Sequence, residues 1–385
     1  MSDPFIPLAR PLIGEREKEL VAQTLDSRML ALGPRLPEFE SALAARIGAP
    51  HVSAVSSGTT ALHLAIRAAG IERGDRVVTT PFSFVASANC LLYEGGEPAF
   101  CDIDPRTLNA DPAAAAAAVD DSTTGLLPVH IFGYPADMPA FERLASERGL
   151  WIVEDACEAL GAVHADGPAV GARGNLATFG FYPNKQLSTG EGGALVSPSP
   201  EIKEHVDSER NQGRAPDLGW LDHDRLGFNY RLSDIACALG LAQLERLDGM
   251  LADRARVAGL YSQALAGAEG LALPCPDRDG DRRSWFVYVV QLPRGVDRDA
   301  TVRAMRERGI DTEPYLPAIH LMSFYRERFG HREGEFHVCE DVAARSLALP
   351  FFPELTEGEV ARVAQNLTEL LSEAPSAATR HPAAR

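Results

Sequence analysis

The amino-acid sequence predicts an α/β protein in which a large, mainly parallel sheet is covered by helices and followed by a smaller α+β domain. Short apolar runs alternate with helical segments of about 10–15 residues through the first 256 positions, which is typical of β-α-β units. The alternation stops near residue 257, and 385 residues are enough for roughly two domains. We therefore expect a large domain over residues 1–256, a small domain over 257–372 and a disordered tail over 373–385.

The large domain is predicted from signals taken in chain order. Apolar residues at helical spacing predict two opening helices over 14–30 and 37–47. Short apolar runs predict strands over 51–55, 76–80, 97–103, 125–129, 151–153, 178–181 and 194–196. Intervening helices are predicted over 61–69, 86–93, 112–119 and 137–148. Because ligands of such sheets bind beyond the carboxyl ends of the strands, we expect the site at that edge.

The rest of the chain is predicted to be mostly helical. A long helical region covers residues 232–256 and is followed by a further helix from about residue 257. An apolar strand is predicted over 285–292, and two more helices over 298–308 and 357–371. This mixture favours a small α+β domain.

The charge balance disfavours several classes of partner. With 37 basic and 54 acidic residues, the net charge is −17, which argues against nucleic-acid backbones and anionic membranes. The N-terminus has no apolar signal segment, and no window approaches the ~18 apolar residues of a membrane span, so we expect a cytoplasmic protein. The six cysteines are scattered without a CxxC pair, and we expect no metal site.

Lysine is rare enough to narrow the search for a nucleophile. It occurs only at positions 18, 185 and 203, and Lys18 and Lys203 lie among glutamates, as solvated helix residues do. Lys185 instead lies in a loop rich in small residues, 181–193, between two predicted strands. A lysine amine in such a loop can act as a nucleophile or form a Schiff base.

Two further segments follow strands. Asp155 comes directly after an apolar strand, where an aspartate either caps a helix or holds a protonated ring nitrogen. Residues 56–60 (SSGTT) open a helix, which suits one phosphate or an ordinary helix cap. No Gly-Lys-Ser/Thr follows and no GxGxxG precedes a helix, so a Walker loop and a nicotinamide site are disfavoured. Phosphate loop, aspartate and lysine in this order are what a fold-type I pyridoxal-phosphate (PLP) enzyme needs.

Several longer motifs occur in a consistent order. They are Ser57-Gly58-Thr59, 128–133 (PVHIFG), Glu154-Asp155-Ala156, 182–185 (YPNK), 189–193 (TGEGG), 210–214 (RNQGR) and 228–233 (FNYRLS). Together they closely resemble the DegT/DnrJ/EryC1/StrS sugar aminotransferases, over roughly residues 6–371.

This resemblance implies a fold-type I, PLP-dependent aminotransferase. Lys185 then forms the Schiff base with the cofactor, and Asp155 pairs with the pyridine nitrogen. Gly58 and Thr59 bind the cofactor phosphate. Phe84 stacks on the ring, unless it is only a core aromatic.

The resemblance also implies a homodimer with shared active sites, because Asn229 reaches across to the partner's cofactor. Glu158 falls where relatives often have Gln or His near the ring, although it can also be a simple helix carboxylate. Tyr315 and His320 match a segment that lines the sugar-nucleotide cleft, and a lone histidine is as often structural.

The substrate's diphosphate needs cations despite the acidic chain. The arginines near the motifs are candidates for this role, or else they are solvated charges; they are Arg210, Arg214 and Arg231.

One position departs from the family pattern. Many relatives have Ser five residues before the lysine, where it donates to the cofactor phosphate, and this chain has Gly180. The hydroxyls that can replace this donor belong to Ser56, Ser57, Thr60 and Ser188.

The implied activity is a ping-pong amino transfer from an amino acid, expected to be L-glutamate, to a keto-sugar nucleotide for amino-sugar biosynthesis. Some relatives replace the lysine by His and deoxygenate sugars, so Lys185 favours amino transfer. The TGEGG form of residues 189–193 favours a 4-keto-6-deoxy sugar over a 3-keto sugar. Two alternatives stay open: a cyclitol or other carbocycle as the acceptor, and a non-catalytic regulatory protein that binds PLP or a sugar nucleotide.

Overall fold

The structure is a computed structural model that describes residues 4–215 and 222–373. Within these residues ten strands form two sheets, one of seven strands and one of three. The predicted tail at 373–385 lies outside the described residues from 374 onward, and Glu373 ends the last helix.

The large sheet is mixed but mostly parallel. Its strands are β1 (His51–Val55), β2 (Arg76–Thr79), β3 (Glu97–Phe100), β4 (Thr123–Leu127), β5 (Trp151–Asp155), β6 (Leu176–Gly180) and β7 (Gly193–Ser197). Their spatial order is β1-β7-β6-β5-β4-β2-β3, and only β7 runs against its neighbours. The predicted α/β class with a mainly parallel sheet is therefore confirmed.

Helices pack on both faces of this sheet. They are α1 (Glu15–Ser27), α2 (Arg35–Ile47), α3 (Gly58–Ala68), α4 (Ala86–Tyr93), α5 (Pro112–Ala118), α6 (Met138–Arg148), α7 (Pro200–Arg210) and α8 (Asp234–Glu245). Several begin at a residue whose side chain accepts a backbone N–H, as Asp137 does for α6 and Ser199 for α7, each with a proline in the first turn.

The predicted small domain contains a three-stranded antiparallel sheet of order β8-β10-β9. Its elements are α9 (Leu247–Leu265), β8 (Tyr288–Gln291), α10 (Arg298–Glu307), β9 (Glu313–Pro314), α11 (Ser323–Phe329), α12 (His337–Arg345), β10 (Ser346–Leu349) and α13 (Glu357–Glu373). Helix α9 runs through the predicted boundary at 256/257. Leu247 and Met250 pack in the core of the large domain, whereas Val257 and Tyr261 pack in that of the small domain.

Among the described residues, no helix is long and apolar enough to cross a membrane.

Candidate active site

The segments singled out in the sequence converge at one edge of the large sheet. Strands β2, β4, β5 and β6 are parallel, and β1 points the same way because β7 lies antiparallel between β1 and β6. The residues that follow these strands therefore share the edge where ligands of such sheets bind. They include the segments 56–60, 80–85, 156–158 and 181–192.

Lys185 lies at this edge in a partly enclosed position. Its Nζ is 3.6 Å from Glu158 Oε1 and 3.8 Å from the centroid of the Phe286 ring, and 14% of its side chain is exposed. Glu158 Oε2 accepts a hydrogen bond from the Phe132 backbone N–H at 2.9 Å. One amine is thus held between a carboxylate and an aromatic face while it keeps a path to solvent.

Glu158 is buried, and its surroundings act on its pKa in opposite directions. Burial raises the pKa of its carboxyl, although the Lys185 charge and the N–H of Phe132 act against this rise. Tyr315 packs against the rings of Phe132 and Phe286, and burial together with the Glu158 charge raises the pKa of its phenol. The sequence-predicted residues Lys185, Glu158 and Tyr315 therefore form one cluster.

Asp155 ends strand β5 with its carboxylate at the same edge. Its Oδ2 accepts from the Ser87 hydroxyl at 2.6 Å and its Oδ1 accepts from the Cys157 backbone N–H at 3.1 Å. These two donors fix the orientation of the carboxylate. Asp155 is therefore suited to hold a cationic ring nitrogen.

Phe84 is an exposed aromatic at this edge. Its side chain is 61% exposed, whereas Phe82, two residues earlier, is fully buried. The Phe84 carbonyl accepts from the Ser87 N–H, so the loop that carries the ring is tied to the residue that orients Asp155. An exposed ring beside a polar pocket fits a stacking role better than the alternative of a core aromatic.

A glycine-lined cradle lies at the N-terminus of helix α3. A methyl group on Gly58 would lie 2.9 Å from Cys157 Sγ, and one on Gly193 would lie 2.4 Å from the Ser57 carbonyl oxygen. Only small residues fit there. The N–H groups of Gly58 and Thr59, in the first turn of the helix, are in position to donate hydrogen bonds to an anion such as a phosphate.

The hydroxyls that could replace a serine at Gly180 differ in their availability. Ser57 and Thr60 cap α3 reciprocally, because the Ser57 Oγ accepts from the Thr60 N–H and the Thr60 Oγ1 accepts from the Ser57 N–H. Ser188 accepts from the Gly190 N–H within its own turn. Ser56 makes only a long contact of 3.4 Å with Thr60 Oγ1, so it is the freest of the four.

The segment 228–231 borders the cradle. The Ser56 N–H donates to the Tyr230 carbonyl, and Arg231 bridges to Val55 at the end of β1. Arg231 also donates to the Asn211 side chain at 3.0 Å, and Asn229 is exposed on the same segment. Arg231 therefore lies beside the cradle, whereas the role predicted for Asn229 concerns the cofactor of a partner subunit and stays a prediction.

Two predicted substrate-binding residues lie in the interior instead. Arg210 is 7% exposed, and its guanidinium pairs with Glu40 and Asp207. His320 is fully buried, 3.0 Å from Glu340 and against the ring of Phe336. Neither side chain is free to reach a diphosphate or a sugar.

Arg214 lies at the border of the described region. It is half-buried, and its carbonyl accepts from the Ser208 hydroxyl at 2.8 Å, two residues before the gap at 216–221.

A cluster of His130, Glu154 and His164 lies behind Asp155 and has ligand atoms within 4.8 Å of one another. His130 Nδ1 accepts from the Ala136 N–H, so its Nε2 carries the proton and donates to Glu154 at 3.1 Å. A metal on Nε2 would force a proton onto Nδ1 against that N–H. The cluster therefore suits a hydrogen-bonded support for strand β5 better than a metal site.

Comparisons with known proteins show the family of the chain. The DegT/DnrJ/EryC1/StrS aminotransferase family model matches residues 11–368. The fold and site define a PLP-dependent transferase, and the chain belongs to this family of sugar aminotransferases.

Similar proteins cover nearly the whole length of the chain. The spore coat polysaccharide biosynthesis protein SpsC of Bacillus subtilis is 35% identical over 95% of this chain and 97% of its own. The GDP-perosamine synthase of Caulobacter vibrioides is 35% identical over 96% of this chain and 100% of its own. The crystal structure of S. venezuelae DesV superposes with a TM-score of 0.90 at 32% identity, covering 97% of this chain and 100% of that one.

The chain's own residues fit PLP. The cradle excludes side chains and offers N–H groups for a phosphate, Asp155 is oriented for a ring nitrogen, and Lys185 lies beside them. The sequence did not indicate Ser87, Cys157 and Phe286, because nothing in their local pattern distinguishes a residue at the site from a core residue.

Proposed function

We propose that this enzyme moves an amino group from L-glutamate to the ketone of a 4-keto-6-deoxy sugar nucleotide, as a step of amino-sugar biosynthesis, and that it works as a homodimer. The observation that carries the proposal is the convergence of the Lys185 amine, the buried Glu158 and the oriented Asp155 carboxylate beside a glycine-lined cradle. PLP, when bound, supplies the electron-withdrawing ring that stabilises negative charge on the substrate carbon.

The residues divide the work between binding and proton transfer. Gly58 and Thr59 bind the phosphate, Phe84 covers the ring face, and Asp155 keeps the ring nitrogen protonated. Lys185 Nζ attaches the cofactor. As a free amine, Nζ would move the proton to and from the substrate's α-carbon.

Glu158 supports this proton transfer. Its Oε1 is 3.6 Å from Nζ, so the carboxylate holds the amine in place and balances its positive charge whenever Nζ is protonated. Tyr315, which packs beside it, closes the pocket from the small domain.

The acceptor is proposed from motif and charge. A sugar nucleotide brings a diphosphate, and Arg231 is the predicted arginine that lies beside the cradle without a carboxylate pair among the described residues. The name of the GDP-perosamine synthase relative supports a sugar-nucleotide acceptor. Exposed Asn229 on the same segment supports a site completed by the partner subunit.

The test uses both half-reactions. We expect the visible absorbance of the purified, PLP-loaded enzyme to fall when L-glutamate is added and to return with a 4-keto-6-deoxy sugar linked to dTDP, UDP or GDP. Lys185→Ala should lower turnover by about 10³-fold or more, whereas Lys18→Ala, which changes an exposed lysine, should leave it unchanged.

The outcomes separate the alternatives. Recovery of the absorbance by a cyclitol ketone and not by any sugar nucleotide would assign a carbocyclic acceptor; 3-amino-5-hydroxybenzoic acid synthase, a structural neighbour at 29% identity, has a carbocyclic product in its name. Recovery with a 3-keto sugar alone would overturn the proposed position of amination. Full turnover by Lys185→Ala would refute the assignment of the nucleophile.

A further inference from the structure

Arg254 occupies an unusual position on helix α9. The buried residues of this helix form a stripe at helical spacing, and Arg254 stands in it between Met250 and Val257. Its side chain is 3% exposed, so a position suited to a hydrophobic residue is filled by a cation.

The charge of Arg254 is balanced by backbone carbonyls. Within the described residues no carboxylate pairs with it. Burial lowers the pKa of the guanidinium to about 10, which leaves it charged at neutral pH. A buried charge without a counterion is costly, whereas methionine or leucine would fill the same space without that cost. Such a cost is typical of residues kept for function.

The carbonyls that receive these hydrogen bonds belong to two segments of the site. Two are in the loop of the nucleophile, Asn184 at 3.3 Å and Lys185 at 2.8 Å. The other two precede β8 in the small domain, Trp285 at 3.3 Å and Phe286 at 3.0 Å. One guanidinium therefore joins the backbone of Lys185 to the backbone of the ring on which its amine rests.

The backbone at Trp285 supports the same reading. Its φ of +50° is in the left-handed region, which is strained for a bulky side chain. The carbonyls of residues 285 and 286 both accept hydrogen bonds from Arg254. The strain stays because the bonds to the guanidinium, and the packing around it, stabilise it.

We propose that Arg254 is a positioning residue, which fixes the Lys185 amine relative to the Phe286 ring by joining the nucleophile's loop to the small domain. The inference rests on the proposed role of Lys185 as the point of cofactor attachment. Its consequence is that the placement of the amine depends on how the small domain packs against the large one.

The test compares Arg254→Met and Arg254→Lys with a matched control. Arg256→Met changes an arginine of the same helix that also donates to backbone carbonyls, but to those of Pro353 and Leu355, far from the lysine loop in sequence. The measurements are apoprotein melting temperature, PLP dissociation constant, the circular dichroism of the bound cofactor, and kcat and KM for L-glutamate.

We expect Arg254→Met to lower kcat by about 10²-fold per cofactor-loaded molecule, with KM for glutamate changed less than about 3-fold, and to weaken the cofactor's circular dichroism. The melting temperature of Arg254→Lys should be closer to that of wild type than to that of Arg254→Met. Its kcat should recover less than a tenth of the difference between Arg254→Met and wild type, because an ammonium is a point donor that cannot bond to both segments. Arg256→Met should keep the wild-type kcat.

Two results would overturn the inference. One is a kcat of Arg254→Met within about 3-fold of wild type once the value is normalised to loaded enzyme, which would leave Arg254 a purely structural role. The other is full kcat with Arg254→Lys. The failure of the proposed function gives a different result. If Lys185→Ala binds PLP with the same visible absorbance as wild type, the proposed function itself fails. If Lys185→Ala is inactive but Arg254→Met has normal activity, only the inference about Arg254 fails.

Discussion

Gly180 offers the sharpest test of where the cofactor phosphate binds. A methyl group on this glycine would meet Cys157 at 3.5 Å and no closer atom, which is an ordinary van der Waals contact. Gly180→Ser therefore fits without displacing a neighbour. Its hydroxyl would lie at the end of β6, beside the cradle formed by Gly58 and Gly193.

The expected gain follows from one hydrogen bond to a charged acceptor. Such a bond contributes about 1.5–3 kcal/mol, and each 1.4 kcal/mol is tenfold in affinity, so Gly180→Ser should lower the PLP dissociation constant by about 10- to 100-fold. Gly180→Ala carries the same Cβ without the hydroxyl and should stay within about 3-fold of wild type. Equilibrium titration of the apoprotein with PLP, followed by absorbance, measures all three.

Gly193, unlike Gly180, has no room for a side chain. Gly193→Ala would place its methyl group 2.4 Å from the Ser57 carbonyl oxygen, so the backbone of the cradle must move and PLP affinity should fall. Equal affinities for Gly180→Ser and Gly180→Ala would show that the phosphate does not reach Gly180. That result would refute the location of the cradle.

Two more predictions concern pH. Because the pKa of Glu158 is raised in the fold, its contribution to apoprotein stability is present below its unfolded pKa of about 4.5 and is lost as the pH rises through its folded pKa. Glu158→Gln should therefore be more stable than wild type above that pH window and equally stable below it. Urea unfolding at a series of pH values measures the difference. Burial and the nearby His130 lower the pKa of His164 to about 4, so stability should fall by about 3 kcal/mol between pH 6.5 and pH 4, at about 1.4 kcal/mol per unit. His164→Phe should lack that part of the acid loss in parallel urea titrations, and an unchanged acid loss would contradict the assignment.

The sequence predicted the large domain well because its signals are local. Strand β2 was predicted over 76–80 and runs over Arg76–Thr79, and α4 was predicted over 86–93 and has those bounds. Each strand there is a short apolar run between turn residues, and each helix has a periodic apolar face. Such patterns need no knowledge of distant residues.

The small domain was predicted less completely because its elements depend on tertiary contacts. Strand β10 (Ser346–Leu349) was missed; it is four residues long and becomes the central strand only by pairing with β8 and β9. The strand predicted over 285–292 begins at Tyr288 instead, because the positive φ of Trp285 and its bond to Arg254 keep that end out of the ladder. Helices α11 and α12 were also missed.

Arg210 and Arg254, both buried, show that a place in a family motif does not by itself indicate a role in the site. Arg210 stands in a family motif and was predicted to bind substrate, whereas Arg254 stands in no motif and was overlooked. Both are almost fully buried, and only their partners distinguish them: Arg210 meets Glu40, 170 residues away, and Asp207, while Arg254 meets main-chain carbonyls of the site. The ion pairs with Glu40 and Asp207 offset part of the desolvation cost of Arg210, so the fold accounts for this residue. Arg254 has no such ion pair among the described residues. Its one signal in the sequence is a cation within an apolar stripe. That signal indicates a role in the site only once the structure shows that Arg254 contacts the backbone of Lys185.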